Sequence, residues 1–206
     1  MKISYAITVC NELKEISKLL NFLHQYKRVE DEIVVLLDKP KASQELLDQL
    51  YYWYSKEIII LKESEFKGHF ADWKNELTSL CKGDYIFQID ADEIPHKSFI
   101  ENLPKILASS NIDVILTPRI NTVEGLTQEH INKWSWNINK NNWINFPDYQ
   151  WRIYRNTQDI KWINKVHERL DGFKTYASLP SIEEYCLYHH KDIKRQEKQN
   201  NYYNTL

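Results

Sequence analysis

Three acids fall within four positions at Asp90-Ala91-Asp92-Glu93. They follow the apolar run Tyr85–Ile89 and stand just before Pro95. Paired carboxylates at this spacing offer hard oxygen ligands suited to Mg2+ or Mn2+. A single acid after a strand often caps the next helix. Three acids exceed what a cap needs, so the cluster points to a bound cation. Acidic residues also close two other apolar runs, Glu12 after Ile3–Val9 and Asp38 after Ile33–Leu37. If those runs are neighbouring strands, three acidic clusters share one rim. Such a rim is unfavourable unless a cation or several donors occupy it. The chain has only four glycines (Gly68, Gly83, Gly125 and Gly172). None are close enough for a GxGxxG fingerprint or a GxxxxGK[ST] loop, so a Rossmann dehydrogenase or P-loop ATPase is excluded. A divalent cation is then the natural way to hold a diphosphate on this rim.

The elements that position these acids read from two periods. Ile3–Val9, Ile33–Leu37, Ile58–Leu61, Tyr85–Ile89 and Asp113–Thr117 are short apolar runs fit for buried strands. Between the first two, Leu13, Ile16, Leu20 and Leu23 recur every three or four residues and make one apolar helix face. Asn11 is placed to cap that helix. Further helices are expected over Ser43–Tyr54, His69–Cys81 and around His96–Ala108. Strands apolar throughout and alternating with helices predict an α/β fold, with a mostly parallel central sheet flanked by helices. In such a sheet ligands bind at the carboxyl ends of the strands, where the three acidic clusters lie.

After Arg119 the helical period fades. Trp134, Trp136, Trp143 and Trp151 crowd into 18 positions, and short β-like pieces appear at Trp151–Tyr154 and Val166–Leu170. No Pro/Gly/Ser linker divides the chain. The expectation is one domain over 1–206: a first half at 1–118, a small mixed α+β lobe at 119–190, and a tail or helix at 191–206. The 206 residues are 42% hydrophobic and 27% charged, enough for a real core. A net charge of −2 offers no basic field for nucleic acid. Three cysteines without a CxxC predict free thiols in a reducing compartment. The longest aliphatic run, Ile33–Leu37, is far too short to span a membrane, and the N-terminal apolar stretch lacks a cleavage-like site. A cytoplasmic location is expected, with peripheral membrane contact left open.

Taken in order, several segments resemble family 2 glycosyltransferases. They are Ile7-Thr8-Val9-Cys10-Asn11-Glu12, Val34–Asp38, Phe70–Glu76, Gly83–Glu93, Gln150–Arg155 and Val166-His167-Glu168. The Asp-Ala-Asp-Glu and Val-His-Glu pieces are most similar to the branch that builds lipopolysaccharide cores and surface glycans. The resemblance implies a GT-A (nucleotide-diphospho-sugar transferase) fold whose 119–190 lobe lies on the acceptor side. It implies a metal-dependent, inverting hexosyltransferase acting on a nucleoside-diphosphate sugar, with a glycan, glycolipid or glycoprotein as acceptor. Thr8, Val9, Asn11, Glu12 and Asp38 would hold base and ribose, Lys74 the base or phosphates, Asp90 and Ala91 the ribose side. Asp92 would bind the metal, with His189 as a further ligand and Asp90 as another. An acidic Asp38 at the base can accept the uracil imide N–H, which favours UDP-glucose or UDP-galactose.

Each residue also has a plainer reading. Lys74 is equally an exposed helix lysine, Asp38 a turn residue before Lys39-Pro40, and His189 and His190 packing or surface residues. The tryptophans are by default core, although aromatic faces also stack on sugar rings. Inverting transfer needs a base on the acceptor side. The candidates are Asp148, Asp159, His167, Glu168 and Asp171. Asp159 and Asp171 sit in turn-like contexts. Glu168 is the first choice and Asp148 the second, while an ion pair of Glu168 with Arg152 or Arg169 is the bland alternative. Two other classes compete: a non-catalytic sugar-nucleotide or glycan-binding module, and a nucleotidyltransferase. The latter usually carries a Gly-rich, basic loop after the first strand, where this chain has Val9-Cys10-Asn11-Glu12.

Overall fold

The computed structural model describes residues 1–203, without the side chains of 199 and 201–203. Positions 204–206, the end of the expected tail, lie outside the described residues. The expected strands form as β1 (Ile3–Val9), β2 (Glu32–Asp38), β3 (Ile60–Ser64) and β4 (Tyr85–Asp90). They lie in the order β3-β2-β1-β4, all parallel. Helices α1 (Leu13–Tyr26), α2 (Gln44–Ser55) and α3 (Phe70–Leu80) connect them, and α4 (Lys97–Ala108) follows the short strand β5 (Glu93–Pro95).

The sheet is covered on both faces, as its apolar strands require. On one face Tyr5, Ile7 and Phe87 pack against Ile16, Leu20 and Leu23 of α1, Leu46 and Leu50 of α2, and Phe99 of α4. On the other, Ala6, Leu36 and Ile86 pack against Ala71, Trp73 and Leu77 of α3. Each fully buried Leu or Ile here contributes about 1.5–3 kcal/mol. At the strand start, Gly83 permits a close crossing: a Cβ there would lie 2.6 Å from the Ser4 backbone nitrogen. Its own N–H donates to Ser4 Oγ at 2.8 Å.

The sheet then continues through β6 (Val114–Glu124), β7 (Ile144–Arg155) and β11 (Leu187–Asp192), in the order β4-β7-β6-β11-β5, with β10 (Tyr176–Ser178) on β6. Strand β7 runs antiparallel to both β4 and β6, whereas β11 is parallel to β6. A separate ribbon, β8 (Lys161–Ile163) with β9 (Arg169–Asp171), leans on α3. The change of composition at Arg119 thus falls inside β6, and both halves share one sheet. Two helices arise where the periodicity fades, α5 (Gln128–Trp134) and α6 (Ile193–Tyr203). Thr127 caps α5 in a capping box with His130.

Local expectations are corrected at five points. Asn11 does not cap α1; Glu12 is the residue before the helix, and Asn11 Oδ1 accepts from Ser43 N at 3.0 Å instead. Strand β3 begins at Ile60 rather than Ile58, because Glu57 (φ 58°) and Ile58 close the end of α2 onto Tyr54 and Trp53 carbonyls. The Val166–Leu170 strand starts only at Arg169, because His167 has φ 53° and Glu168 turns away to α3. The tryptophans at 134, 136, 143 and 151 are half-buried rather than fully buried core: Trp136 and Trp151 border a cleft, Trp134 packs on Trp136, and Trp143 packs on Phe146. The expected tail or helix at 191–206 is preceded by a strand that runs to Asp192, with Leu187, His189 and Lys191 buried alternately, and α6 follows it. Among the described residues no helix is long and apolar enough to cross a membrane.

Candidate active site

The carboxyl ends of β1, β2 and β4 open onto a cleft of about 960 Å3, completed by β6, β7, β11, α6 and the segment around Glu168. Thr8, Val9, Glu12, Asp38, Lys74, Asp90, Ala91, Asp92, Glu168 and His189 all line it. Asn11 and Asp148 are not among the lining residues. Parallel pairing brings the rim together: Thr8 lies opposite Asp90 on β4 and Leu36 on β2. Glu12 folds back so that its carboxylate accepts from the Cys10 and Asn11 N–H groups at 2.8 and 3.0 Å. That carboxylate shapes the loop after β1. Asp38 is buried, accepting from Phe66 N at 3.1 Å and pairing with Lys41 at 2.9 Å.

The acids of β4 are held by cations from distant segments. The buried Arg152 of β7 bridges Asp90 and Glu93, at 2.5 and 2.6 Å. Glu93, wholly buried, also takes Arg119 Nη1 at 2.9 Å and the Asp90 N–H at 3.2 Å. Burial alone would raise the pKa of Asp90, yet Arg152, Lys74 and Arg119 hold it well below the usual carboxylate range. Burial also works against the charged form of Asp92, but His189 and Arg195 bring its pKa down to about 2. Both acids are therefore ionised and poised for positive charge.

Asp92 faces His189 across 3.3 Å, and His189 Nδ1 meets Asn121 Oδ1 at 2.7 Å. With Nδ1 donating to that carbonyl oxygen, Nε2 is the ring nitrogen that faces Asp92: it donates to the carboxylate in the imidazolium and offers a lone pair beside it in the neutral ring. The neutral ring and the carboxylate together suit a divalent cation. Asp90 Oδ2 is taken by Arg152, so Asp92 and His189 are the pair best placed to hold one. Among the described residues no group of three or more His, Cys, Asp or Glu is arranged as a metal cage. Such a cation would complete its shell from substrate phosphates or water.

On the opposite wall of the cleft, Lys74 is buried, paired with Glu168 and lying 4.3 Å from the Trp162 ring centroid. The partner of Glu168 is thus Lys74, neither Arg152 nor Arg169. Asp148 is heavily engaged: Arg119 Nε and Nη2 and Asn121 donate to Oδ2, and Gln150 donates to Oδ1, all within 2.7–2.9 Å. Burial opposes the ionised form there too, but Arg119 and the two amides keep its pKa lowered. Trp136, Trp151 and Trp162 border the cleft. Sequence reasoning did not single out Arg119 or Arg152 for the site. Arg152 stands inside a segment that carries the family resemblance, which was the available signal.

A parallel sheet ending on an acidic cleft, with antiparallel strands completing the far wall, defines the GT-A type of α/β fold. The chain belongs to glycosyl transferase family 2, whose model matches residues 4–178. No curated protein matches it. Among solved structures, S. aureus TarS is similar at 19% identity and TM-score 0.62, over 92% of this chain and 37% of TarS. TarS 1–349 in complex with UDP-GlcNAc is similar at 19% identity and TM-score 0.63, over 93% of this chain and 59% of that one. The chain therefore spans less than two thirds of these neighbours. At this identity the likeness speaks for the fold.

Proposed function

We propose that the chain is an inverting glycosyltransferase that moves a hexose from a nucleoside-diphosphate sugar to the hydroxyl of a glycan, glycolipid or glycoprotein. One observation carries the reading: in a family 2 chain, Asp38, Asp90, Asp92 and His189 converge on one cleft at the carboxyl ends of the parallel strands. Asp38 and the Thr8–Glu12 loop bind the base and ribose, and a UDP-sugar, UDP-glucose or UDP-galactose first, is the expected donor. A TarS structure holds UDP-GlcNAc, which supports a uridine donor in this fold. Asp92 and His189 hold Mg2+ or Mn2+. An ion held there would supply Lewis-acid stabilisation of the charge on the departing diphosphate.

Glu168 acts as general base. It takes the proton of the acceptor hydroxyl as that oxygen bonds to the anomeric carbon, opposite the breaking bond to the diphosphate. Asp148 is the weaker candidate, because four donors occupy its oxygens and depress its basicity. Lys74 links the two sides, lowering the Asp90 pKa while pairing with Glu168. The test is calorimetry and hydrolysis with UDP-, GDP- and dTDP-sugars, with and without Mn2+. Mn2+-dependent uptake of a UDP-sugar is expected; binding of none of the three, in either condition, would sink the proposal.

A further inference from the structure

A polar chain crosses the far wall of the cleft and ends on Asp92 and His189. Its middle member is Asn121 of β6, which lines the cleft. Asn121 stands opposite His189 in the parallel pairing with β11, two residues on from Arg119, which stands opposite Asp148 of β7. The β6–β7 register shifts between Arg119 and Asn121, and both side chains reach the one Asp148 carboxylate. Burial opposes the charged form of Asp148, but Arg119, Asn121 and Gln150 keep its pKa lowered, so it is ionised at neutral pH.

An ionised carboxylate only accepts hydrogen bonds. Asn121 must therefore turn its amide nitrogen to Asp148, and Nδ2 donates to Oδ2 at 2.8 Å. That leaves only its carbonyl oxygen for His189, 2.7 Å from Nδ1. Turned over, the amide would set its oxygen against the Asp148 anion. A carbonyl oxygen also only accepts, so the ring proton belongs on Nδ1, and Nε2 is the nitrogen on the Asp92 side, at 3.3 Å. We propose that Asn121 is a positioning residue for cation binding: anchored by Asp148, it fixes the His189 proton on Nδ1 and keeps the Nε2 lone pair for a divalent cation shared with Asp92. Metal-binding imidazoles depend on such a partner for their other nitrogen, and its loss typically costs roughly 10- to 100-fold in affinity. Asp148 then serves the site from two contacts away. This inference rests on Asp92 and His189 being the cation pair of the proposed function.

Long-range proton–nitrogen NMR correlation of the imidazole rings reads the tautomer without any metal, with the His189 signals assigned from His189→Gln. At alkaline pH, where the ring is neutral, the wild-type proton is expected on Nδ1. In Asn121→Leu, which keeps the volume but offers no acceptor, the proton is expected to shift largely to Nε2, where the Asp92 carboxylate takes it. Mn2+ binding without nucleotide, read by electron paramagnetic resonance, should weaken roughly 10- to 100-fold in the same variant. Asp148→Asn still offers Asn121 an acceptor oxygen and should weaken it only a few-fold. An Asn121 that merely fills space would leave the tautomer where it is. A neutral wild-type ring with its proton on Nε2 would overturn the inference, whether or not the variant folds. Unchanged Mn2+ affinity in a folded Asn121→Leu would overturn it as well. If the wild-type proton sits on Nδ1 but the protein takes up no Mn2+, the cation reading itself fails and takes the positioning role with it.

Discussion

The two walls of the cleft hold their carboxylates by different means. On the β1–β4 wall, Asp90 and Asp92 project from a strand end whose backbone is fixed by parallel pairing and by an apolar core on both faces. Position there comes from the backbone, and buried guanidinium groups supply the charge balance. On the opposite wall Glu168 follows a residue with φ 53°, just ahead of a three-residue strand, and is located by its own ion pair with Lys74. The first wall is rigid by construction. The second is placed by side chains, so its carboxylate can exchange a proton or a partner without moving the sheet.

The sharpest way to break this contrast is to neutralise one carboxylate on each wall. Glu168→Gln keeps size and hydrogen bonding, so donor affinity should stay near wild type. Transfer should fall by roughly two to four orders of magnitude, the usual contribution of a positioned base. Asp92→Ala should do the reverse, abolishing Mn2+-dependent uptake of the sugar nucleotide while the chain stays folded. Steady-state transfer assays beside calorimetry separate the two. Near-normal turnover in Glu168→Gln with loss in Asp148→Asn would move the base to Asp148.

Next in size is the buried network that joins the walls. Arg152 is 2% exposed and Glu93 0%, and each is the other's partner. Removing one side of a buried pair leaves an uncompensated charge and costs about 3–5 kcal/mol. Arg152→Met should therefore lower stability in urea by about that amount. The double variant Arg152→Met with Glu93→Gln should recover part of it, because one of the two carboxylates that lose Arg152 is then neutral. Additive losses in the double variant would show that the pair does not couple the walls.

The same contrast decides what the sequence could tell. Strands β1, β2 and β4 were legible because each is apolar throughout and pairs with neighbours of the same kind, so its end, and with it Asp38, Asp90 and Asp92, could be placed. The far wall was not legible in that way. Strand β11 buries Leu187, His189 and Lys191 in alternation, and a strand whose inward residues are His and Lys reads as a polar tail. His189 was nevertheless singled out, through the family resemblance rather than the pattern. Lys74 and Glu168 are 94 positions apart and Arg152 and Asp90 are 62 apart, separations at which no local spacing signals a pair. Asn11 misled for a related reason: it does sit at a helix start, but at that of α2 rather than of its own helix.

The smallest effect expected belongs to Asp148, and it sharpens the far wall itself. Burial would raise its pKa, yet Arg119, Asn121 and Gln150 keep it below the ordinary Asp value. The folded chain therefore holds this proton less tightly than the unfolded chain, so stability rises with pH through that window. The contribution is complete above an ordinary Asp pKa of about 4 and is lost as pH falls through the lower folded value. Asp148→Asn should flatten this part of the acid limb in urea unfolding measured from pH 6 down to pH 2. Its transfer rate should stay within a few-fold of wild type, since a carboxylate whose oxygens are filled by Arg119 and two amides anchors β6 to β7 rather than accepting a proton. An acid limb as steep as wild type would mean that the Arg119 contact does not hold in solution. The far wall would then have two available carboxylates instead of one.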